Sequence, residues 1–387
     1  MSDPKLAIVG AGIAGLSMAI FANDQGLDSP VYEKQSSNQC AENVLWIAPN
    51  GLHLLKAIGL LESVLEIGCR QKAMIFADHR LNELSRLDCD RLAKTNDYPI
   101  VAIRRRDLMD ILEAEVKKRQ IRVHYNCPIK AAYSSGKRIE VVSEGLSRQE
   151  VDILIAADGI GSQTREAFFP ESKIHFQGIR TYLGVSRTSV AKNFVNKTFE
   201  VWGHGTRFML GSLDGESIHW SAMERVGYTK NSAPIPEDVI QKLLYAFRDY
   251  HPDIMETIRH ADQRSIHRSN FGVVEGLKSY HNNSVVLMGD AAHGMPPNMG
   301  QGGSLALEDA AFLAKQLRIS HENALPAYSR ARKPRADTVI SIANSMNKTF
   351  QPSSKILSLG RNSVARLLPN QLAQKRMERL YQVPFVY

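Results

Sequence analysis

Leu6-Ala7-Ile8-Val9-Gly10-Ala11-Gly12-Ile13-Ala14-Gly15 decides the fold. Four apolar residues ending in glycine read as a central parallel strand. From Ile13 the apolar positions Ile13, Leu16, Ala19 and Ile20 take helical spacing, and Pro30-Val31-Tyr32-Glu33 reads as a second strand. A Gly-x-Gly-x-x-Gly at the strand-to-helix junction has a physical reading. Gly10 permits the tight turn, Gly12 lets a pyrophosphate approach the backbone, Gly15 lets helix and strand pack, and the helix N-terminus favours the phosphate charge. Glu33 ends the second strand, where a carboxylate accepts from ribose hydroxyls, with Lys34 beside it. The fingerprint says dinucleotide without choosing between NAD and FAD. Leu6 to Ala22 is uncharged and follows Lys5, but its glycines and its length fit neither a signal peptide nor a membrane span.

The surrounding chain is that of an ordinary globular protein: 387 residues, 43% hydrophobic and 23% charged, with 26 Gly and 16 Pro. Cys40, Cys69, Cys89 and Cys127 form no Cys-x-x-Cys pair, which argues against zinc and for a reducing compartment, the cytoplasm. The net charge of +8 is spread over too mixed a surface to indicate a nucleic-acid binder. Much of it sits from Phe350 to Tyr387, where Lys355, Arg361, Arg366, Lys375, Arg376 and Arg379 face only Glu378.

Further along, Asn50 to Ile67 reads as one helix, Lys72–Ala77 and Glu83–Leu87 as a hairpin, and Asp107 as the cap of a helix reaching Arg119. Strands then dominate, with alternation continuing from Lys197 to Met223. Helical spacing returns near Glu237–Tyr250 and from about Gly303 to Leu317. The expected fold is α/β: a Rossmann-like dinucleotide module in residues 1–70, 100–180 and 270–349, an interleaved antiparallel sheet in 71–99 and 181–269, and a helical tail in 350–387.

Two more segments join the fingerprint. Asp152 to Arg165 is a buried strand ending in Asp158-Gly159, with Gly161, Ser162 and Arg165 beyond. Val285 to Gly303 is a strand ending in Gly289-Asp290, then a Pro- and Gly-rich run (Pro296, Pro297, Gly300, Gly302, Gly303) that opens a helix. With these three motifs in order, the chain resembles the single-component FAD-dependent monooxygenases of the para-hydroxybenzoate hydroxylase type. The version Gly300-Gln301-Gly302-Gly303 followed by Glu308-Asp309 looks most like the branch holding urate hydroxylase, salicylate hydroxylase and zeaxanthin epoxidase.

The resemblance implies FAD as cofactor and NADH or NADPH as co-substrate. It implies that one atom of O₂ passes, through a flavin C4a-hydroperoxide, to a small electron-rich aromatic or heteroaromatic substrate in a monomer or homodimer. Epoxidation and antibiotic inactivation share the motifs. A NAD-dependent dehydrogenase would leave Asp158 and Asp290 idle, and a non-catalytic flavin- or nucleotide-binding protein would keep the motifs without turnover. By the same resemblance Gly10, Gly12, Ala14, Gly15, Glu33 and Lys34 hold the ADP portion, and Arg105, flanked by Arg104 and Arg106, contacts the flavin. Asp158, Gly159 and Arg165 serve FAD and the nicotinamide. Gly289 and Asp290 take the ribitol, and Pro297, Gly300, Gly302 and Gly303 lie beside the isoalloxazine.

Substrate residues are expected from the inserted sheet. Period-2 alternation puts Arg207, Met209 and Gly211 on one face, and His219, Ser221 and Met223 on one face of the partner strand. Arg207, in a Gly-x-Arg context similar to that of urate hydroxylase, is the anion-pairing candidate and a solvated arginine the alternative. His219 is the second catalytic candidate, with cross-strand packing as its alternative. The apolar stripe of the tail is expected to fold back onto the flavin module rather than to meet a membrane.

Overall fold

A computed structural model describes residues 3–36, 43–135, 138–143, 148–226, 235–352 and 354–383. Cys40 lies outside them. The six-stranded sheet runs, from one edge, His281–Asn282, Val285–Leu287, Ile153–Ala156, Leu6–Val9, Val31–Tyr32 and Val123–His124. Only the His281–Asn282 edge pairs antiparallel. Every residue of Leu6–Val9 and of Ile153–Ala156 is buried, as an apolar run without alternation requires. Helix Ile13–Asp24 packs against Gly302–Ile319 and is buried from Gly15 to Ala22. That is why the uncharged stretch after Lys5 has no polar face.

Register brings the motifs together. Val9 pairs with Ala156, and Ala156 with Leu287. The loops at Gly10, Asp158 and Asp290 therefore leave three adjacent parallel strands at their carboxyl ends, where open α/β sheets bind ligands.

The second sheet has seven strands in the order His267–Glu275, Lys173–Arg187, Ser217–Arg225, Thr206–Ser212, Lys197–Trp202, Ala73–Asp78 and Glu83–Asp88. It is antiparallel except where Lys197–Trp202 lies parallel to Ala73–Asp78. Between those two strands the chain passes through the first module and returns in the same direction, a connection no hairpin could make. One face, with Val201, Phe208, Leu210 and Ile218, packs with Phe247 into a core of its own under helices Val239–Ala246 and Pro252–Arg259. The other face looks toward the first module.

One local expectation is corrected. The stretch from Asn50 to Ile67 is two helices, Pro49–Ala57 and Leu61–Ile67. Gly59 between them takes φ +78°, a left-handed conformation that ends a helix. A 30-residue helix, His321–Phe350, contains Pro326 and Pro334.

The tail forms helices Lys355–Leu367 and Asn370–Leu380, and both rest on strand Glu83–Asp88 of the second sheet. Gln374 accepts from Asp88 N (3.1 Å) and donates to Asp88 O (3.0 Å). Arg335 donates to Leu380 O at 2.6 Å. The expectation that the apolar stripe folds inward is corrected: Ile356 is 80% and Leu367 83% exposed. The helix is held instead by its polar side. Arg361 donates to Phe350 O and, at 3.3 Å, to Gly203 O.

Candidate functional site

The glycines of the first loop differ in what surrounds them. At Gly10, φ is +99° and an added Cβ would lie 2.5 Å from Ala157 O. At Gly15 it would lie 1.8 Å from Gly10 O. At Gly12 nothing lies within 4 Å, so this glycine keeps open the space a phosphate would fill. Glu33 accepts from Ala11 N at 2.8 Å and from Gln35 N at 2.9 Å. Its carboxylate is thereby fixed under the glycine loop, with Lys34 exposed beside it. Ala14 faces the third motif: a Cβ at Gly289 would meet Ala14 Cβ at 2.8 Å.

In the second loop Asp158 Oδ2 accepts from Thr164 N (3.3 Å) and Thr164 Oγ1 (3.2 Å). Its Oδ1 is buried without a protein partner, a cost that a ligand hydroxyl or amide would remove. Gly159 has φ +78° and open space beside it. Arg165 is buried behind the loop, where it donates to Ala291 O (3.0 Å) and Ile160 O (2.6 Å). Burial holds its pKa below the ordinary arginine value. The structure thus makes Arg165 a brace between the second and third loops, away from the cavity.

Asp290 is exposed at the start of helix Asp290–His293, and the chain then turns through Pro297 and Gly300. Gly300 takes φ +59° against Trp46 before Gly302 and Gly303 open the next helix. A buried ionic cluster supports this loop from below. Asp309 accepts from Gly289 N (3.0 Å), His293 Nε2 (2.6 Å) and Arg332 Nε (2.8 Å). Glu308 takes Arg332 at 2.6 Å, Arg335 at 3.1 Å and Asn50 at 2.7 Å. Burial would raise the Asp309 carboxyl, but His293 and Arg332 override it and hold its pKa at about 2. These partners of the Glu308-Asp309 motif were not visible in the sequence, where the two acids were legible only as a pattern.

A cavity of about 440 Å³ lies between the loops and the second sheet. Gly12, Ala14, Gly159, Asp290, Pro297, Gly300, Gly302 and Gly303 line it on the loop side. Of the three consecutive arginines Arg105 lines it, as does Leu108 one helical turn on, whereas Arg104 points to Asp107 and Asp214. From the sheet come Arg207, Met209, Gly211, His219, Ser221 and Met223. The register sets Arg207 opposite Met223 and Gly211 opposite His219, so the two expected rows share one face.

Arg207 is 1% exposed, which removes the solvated alternative. It donates to Glu200 (2.6 Å), Asn347 (3.0 Å) and Asn298 (3.0 Å) and lies 5.6 Å from the Phe350 ring centre. Three of its five N–H donors are engaged, which leaves two. Glu200 could have been found from alternation, because Phe199 and Val201 face outward; Asn298 and Asn347 carry no such signal. Neither ring nitrogen of His219 has a hydrogen-bond partner. Burial, then the Arg104 charge, push its pKa down to about 4, so it faces the cavity as a neutral imidazole. Trp220 instead packs outward, its ring 5.7 Å from Phe208 and its Nε1 donating to Ser186 at 2.8 Å.

The whole arrangement, a doubly wound nucleotide sheet facing an inserted β-sheet across one cavity, is that of a flavin-binding two-module oxidoreductase fold. The chain belongs to the FAD binding domain family, whose model matches residues 3–343; the resemblance drawn from the motifs is borne out, and the cofactor is FAD. Chloroplastic zeaxanthin epoxidase of Arabidopsis thaliana is 28% identical over 323 residues, 79% of this chain and 47% of that relative. The chain therefore spans about half of that protein's length. Aurachin C monooxygenase/isomerase of Stigmatella aurantiaca is 24% identical over 395 residues, covering 97% of both chains. Among solved structures, Klebsiella pneumoniae HpxO complexed with FAD and uric acid has a TM-score of 0.88 at 21% identity, covering 97% of this chain and 96% of that one. That likeness confirms the two-module fold.

Proposed function

We propose that this protein is an FAD-dependent monooxygenase that uses NADH or NADPH and O₂ to insert one oxygen atom into a small, electron-rich aromatic or heteroaromatic substrate. The observation that carries the reading is a single cavity with three dinucleotide-motif loops on one wall and the Arg207–His219 face on the other. The open space at Gly12, the orphaned Asp158 Oδ1 and the free Asp290 carboxylate fit FAD. In this reading the Gly10–Gly15 loop, Glu33 and Lys34 hold its ADP part, Asp158 and Asp290 its hydroxyl-bearing linker, and Arg105 with the Pro297–Gly303 loop its ring end. When bound, FAD supplies electron transfer from the nicotinamide and the activation of O₂.

The protein's own share is orientation and exclusion of water. Met209, Met223, Leu183, Phe271 and Trp46 give the pocket apolar walls. Arg207, already neutralised by Glu200, offers two N–H donors rather than a net charge. The pocket is thus suited to a carbonyl or enolate oxygen of a neutral or singly charged ring and ill suited to a dianion. His219, neutral and without a partner, accepts from a ring hydroxyl or N–H and raises the electron density of the ring at the moment of transfer. Buried thiols at Cys69, Cys89 and Cys127 support the reducing cytoplasm. The test is NAD(P)H consumption by the FAD-loaded protein against a panel of phenols, hydroxyquinolines and purines, with product mass. Oxidation that no ring substrate accelerates would overturn the reading.

A further inference from the structure

The first tail helix is turned inside out. Ile356, Leu359, Val364 and Leu367 lie on one side of Lys355–Leu367, and Ser358, Arg361 and Ala365 on the other. The polar side is the one that docks. Ser358 is fully buried. Arg361 lies 5.1 Å over the Trp202 ring and bonds two carbonyls. Arg366 pairs with Asp78 at 3.2 Å. Among the described residues eleven large apolar side chains are exposed, and seven of them fall between Ile356 and Leu372. A soluble surface rarely concentrates apolar groups in this way without a partner.

The second tail helix, resting on the same strand, exposes a different chemistry. Gln374 and Leu380 are buried, whereas Lys375, Arg376 and Arg379 are exposed around Leu372. Each element alone is ordinary. Together the two helices, each anchored to the protein through its other side, present seven large aliphatic side chains and three cations to solvent.

From this we propose that the outer face of the two tail helices docks on an anionic lipid bilayer. The aliphatic row enters the headgroup boundary, and Lys375, Arg376 and Arg379 meet lipid phosphates. Charge decides against a second copy of the chain, because a two-fold contact through this face would bring the two cation clusters toward each other. No helix of the described residues is long and apolar enough to cross a membrane, so contact is interfacial.

Flotation of the FAD-loaded protein at physiological salt tests the proposal with two kinds of vesicle, pure phosphatidylcholine and phosphatidylcholine mixed with phosphatidylglycerol. Each cation near the anionic surface adds roughly fivefold to partitioning, so binding to the mixed vesicles should exceed binding to the neutral ones by well over tenfold and fall with salt. Ile356→Ser, Leu359→Ser and Leu367→Ser combined should abolish flotation while FAD content and melting temperature stay at parental values, since these side chains touch solvent. Lys375→Gln, Arg376→Gln and Arg379→Gln combined should erase the preference for anionic lipid. Absence of binding to the mixed vesicles overturns the proposal, as does parental binding by the triple-serine variant. So does a stable dimer that the same variant turns into monomers, which would assign the face to a second copy.

Discussion

Replacing Arg207 with glutamine separates what this residue does for the pocket from what it does for the fold. The guanidinium is held by the Glu200 carboxylate at 2.6 Å and by the Asn347 and Asn298 side-chain oxygens at 3.0 Å each, and Glu200 is itself only 7% exposed. Arg207→Gln leaves a buried carboxylate without its cation, a loss of about 3–5 kcal/mol. Combining it with Glu200→Gln turns the ion pair into a neutral amide pair and should return at least about 2 kcal/mol of that loss. Urea unfolding of the single and double variants, with the FAD-loaded parent as reference, measures both quantities. A change below about 1 kcal/mol for Arg207→Gln, or a double variant no more stable than the sum of its parts, would refute the account of this pair. At temperatures where the variants remain folded, Arg207→Gln should raise the apparent KM for substrate and the H₂O₂ released per NAD(P)H, with FAD content unchanged. Arg207→Lys should recover little, because a single ammonium cannot reproduce three diverging contacts and two free donors.

Asp290→Ala should weaken FAD binding by about tenfold to a hundredfold, the worth of one charge-assisted hydrogen bond; an unchanged Kd by flavin fluorescence would remove Asp290 from the site. Asp309→Asn should cost about 3–5 kcal/mol, because His293 loses its buried counter-charge and Arg332 keeps only Glu308. With its folded pKa held at about 2, Asp309 stabilises the protein above the unfolded value and loses that contribution as pH falls toward 2, so the variant should show a shallower acid limb in unfolding curves. His219 acts in a neighbouring window. Its folded pKa of about 4 lies below the ordinary value of 6.5, so between these values the unfolded chain binds a proton that the folded one refuses. Stability should therefore fall as pH drops from 6.5 toward 4, and His219→Phe should flatten that slope; an identical slope in the variant would mean that His219 titrates normally.

The motif loops were legible because each depends on short-range sterics: Gly10 and Gly15 have no room for a Cβ, and that requirement is written in three residues. The Arg207–His219 face was legible through strand alternation, which needs only the parity of positions. What alternation could not supply was the partner of Arg207. Asn347 lies 140 residues away on a helix whose two prolines disguise it, and Asn298 sits in a single 3-10 turn, Pro297–Met299. The inner cluster around Asp309 was hidden for the same reason, since Arg332 and Arg335 reach it from that helix. In the tail, periodicity revealed an apolar stripe but not its direction. The carbonyls of Phe350 and Gly203 and the Trp202 ring gave Arg361 a better seat than the sheet edge could give leucines, and the stripe was left outside.

The central claim is that one cavity joins flavin chemistry to a ring substrate held by Arg207 and His219. It is tested most directly by running the FAD-loaded enzyme with NAD(P)H under ¹⁸O₂ and weighing the product of any panel compound that accelerates NAD(P)H oxidation. One ¹⁸O atom per product molecule is expected in parent and variant alike, with less labelled product and more H₂O₂ formed per NAD(P)H oxidised by Arg207→Gln. A product carrying no label, or unchanged coupling in Arg207→Gln, would contradict it.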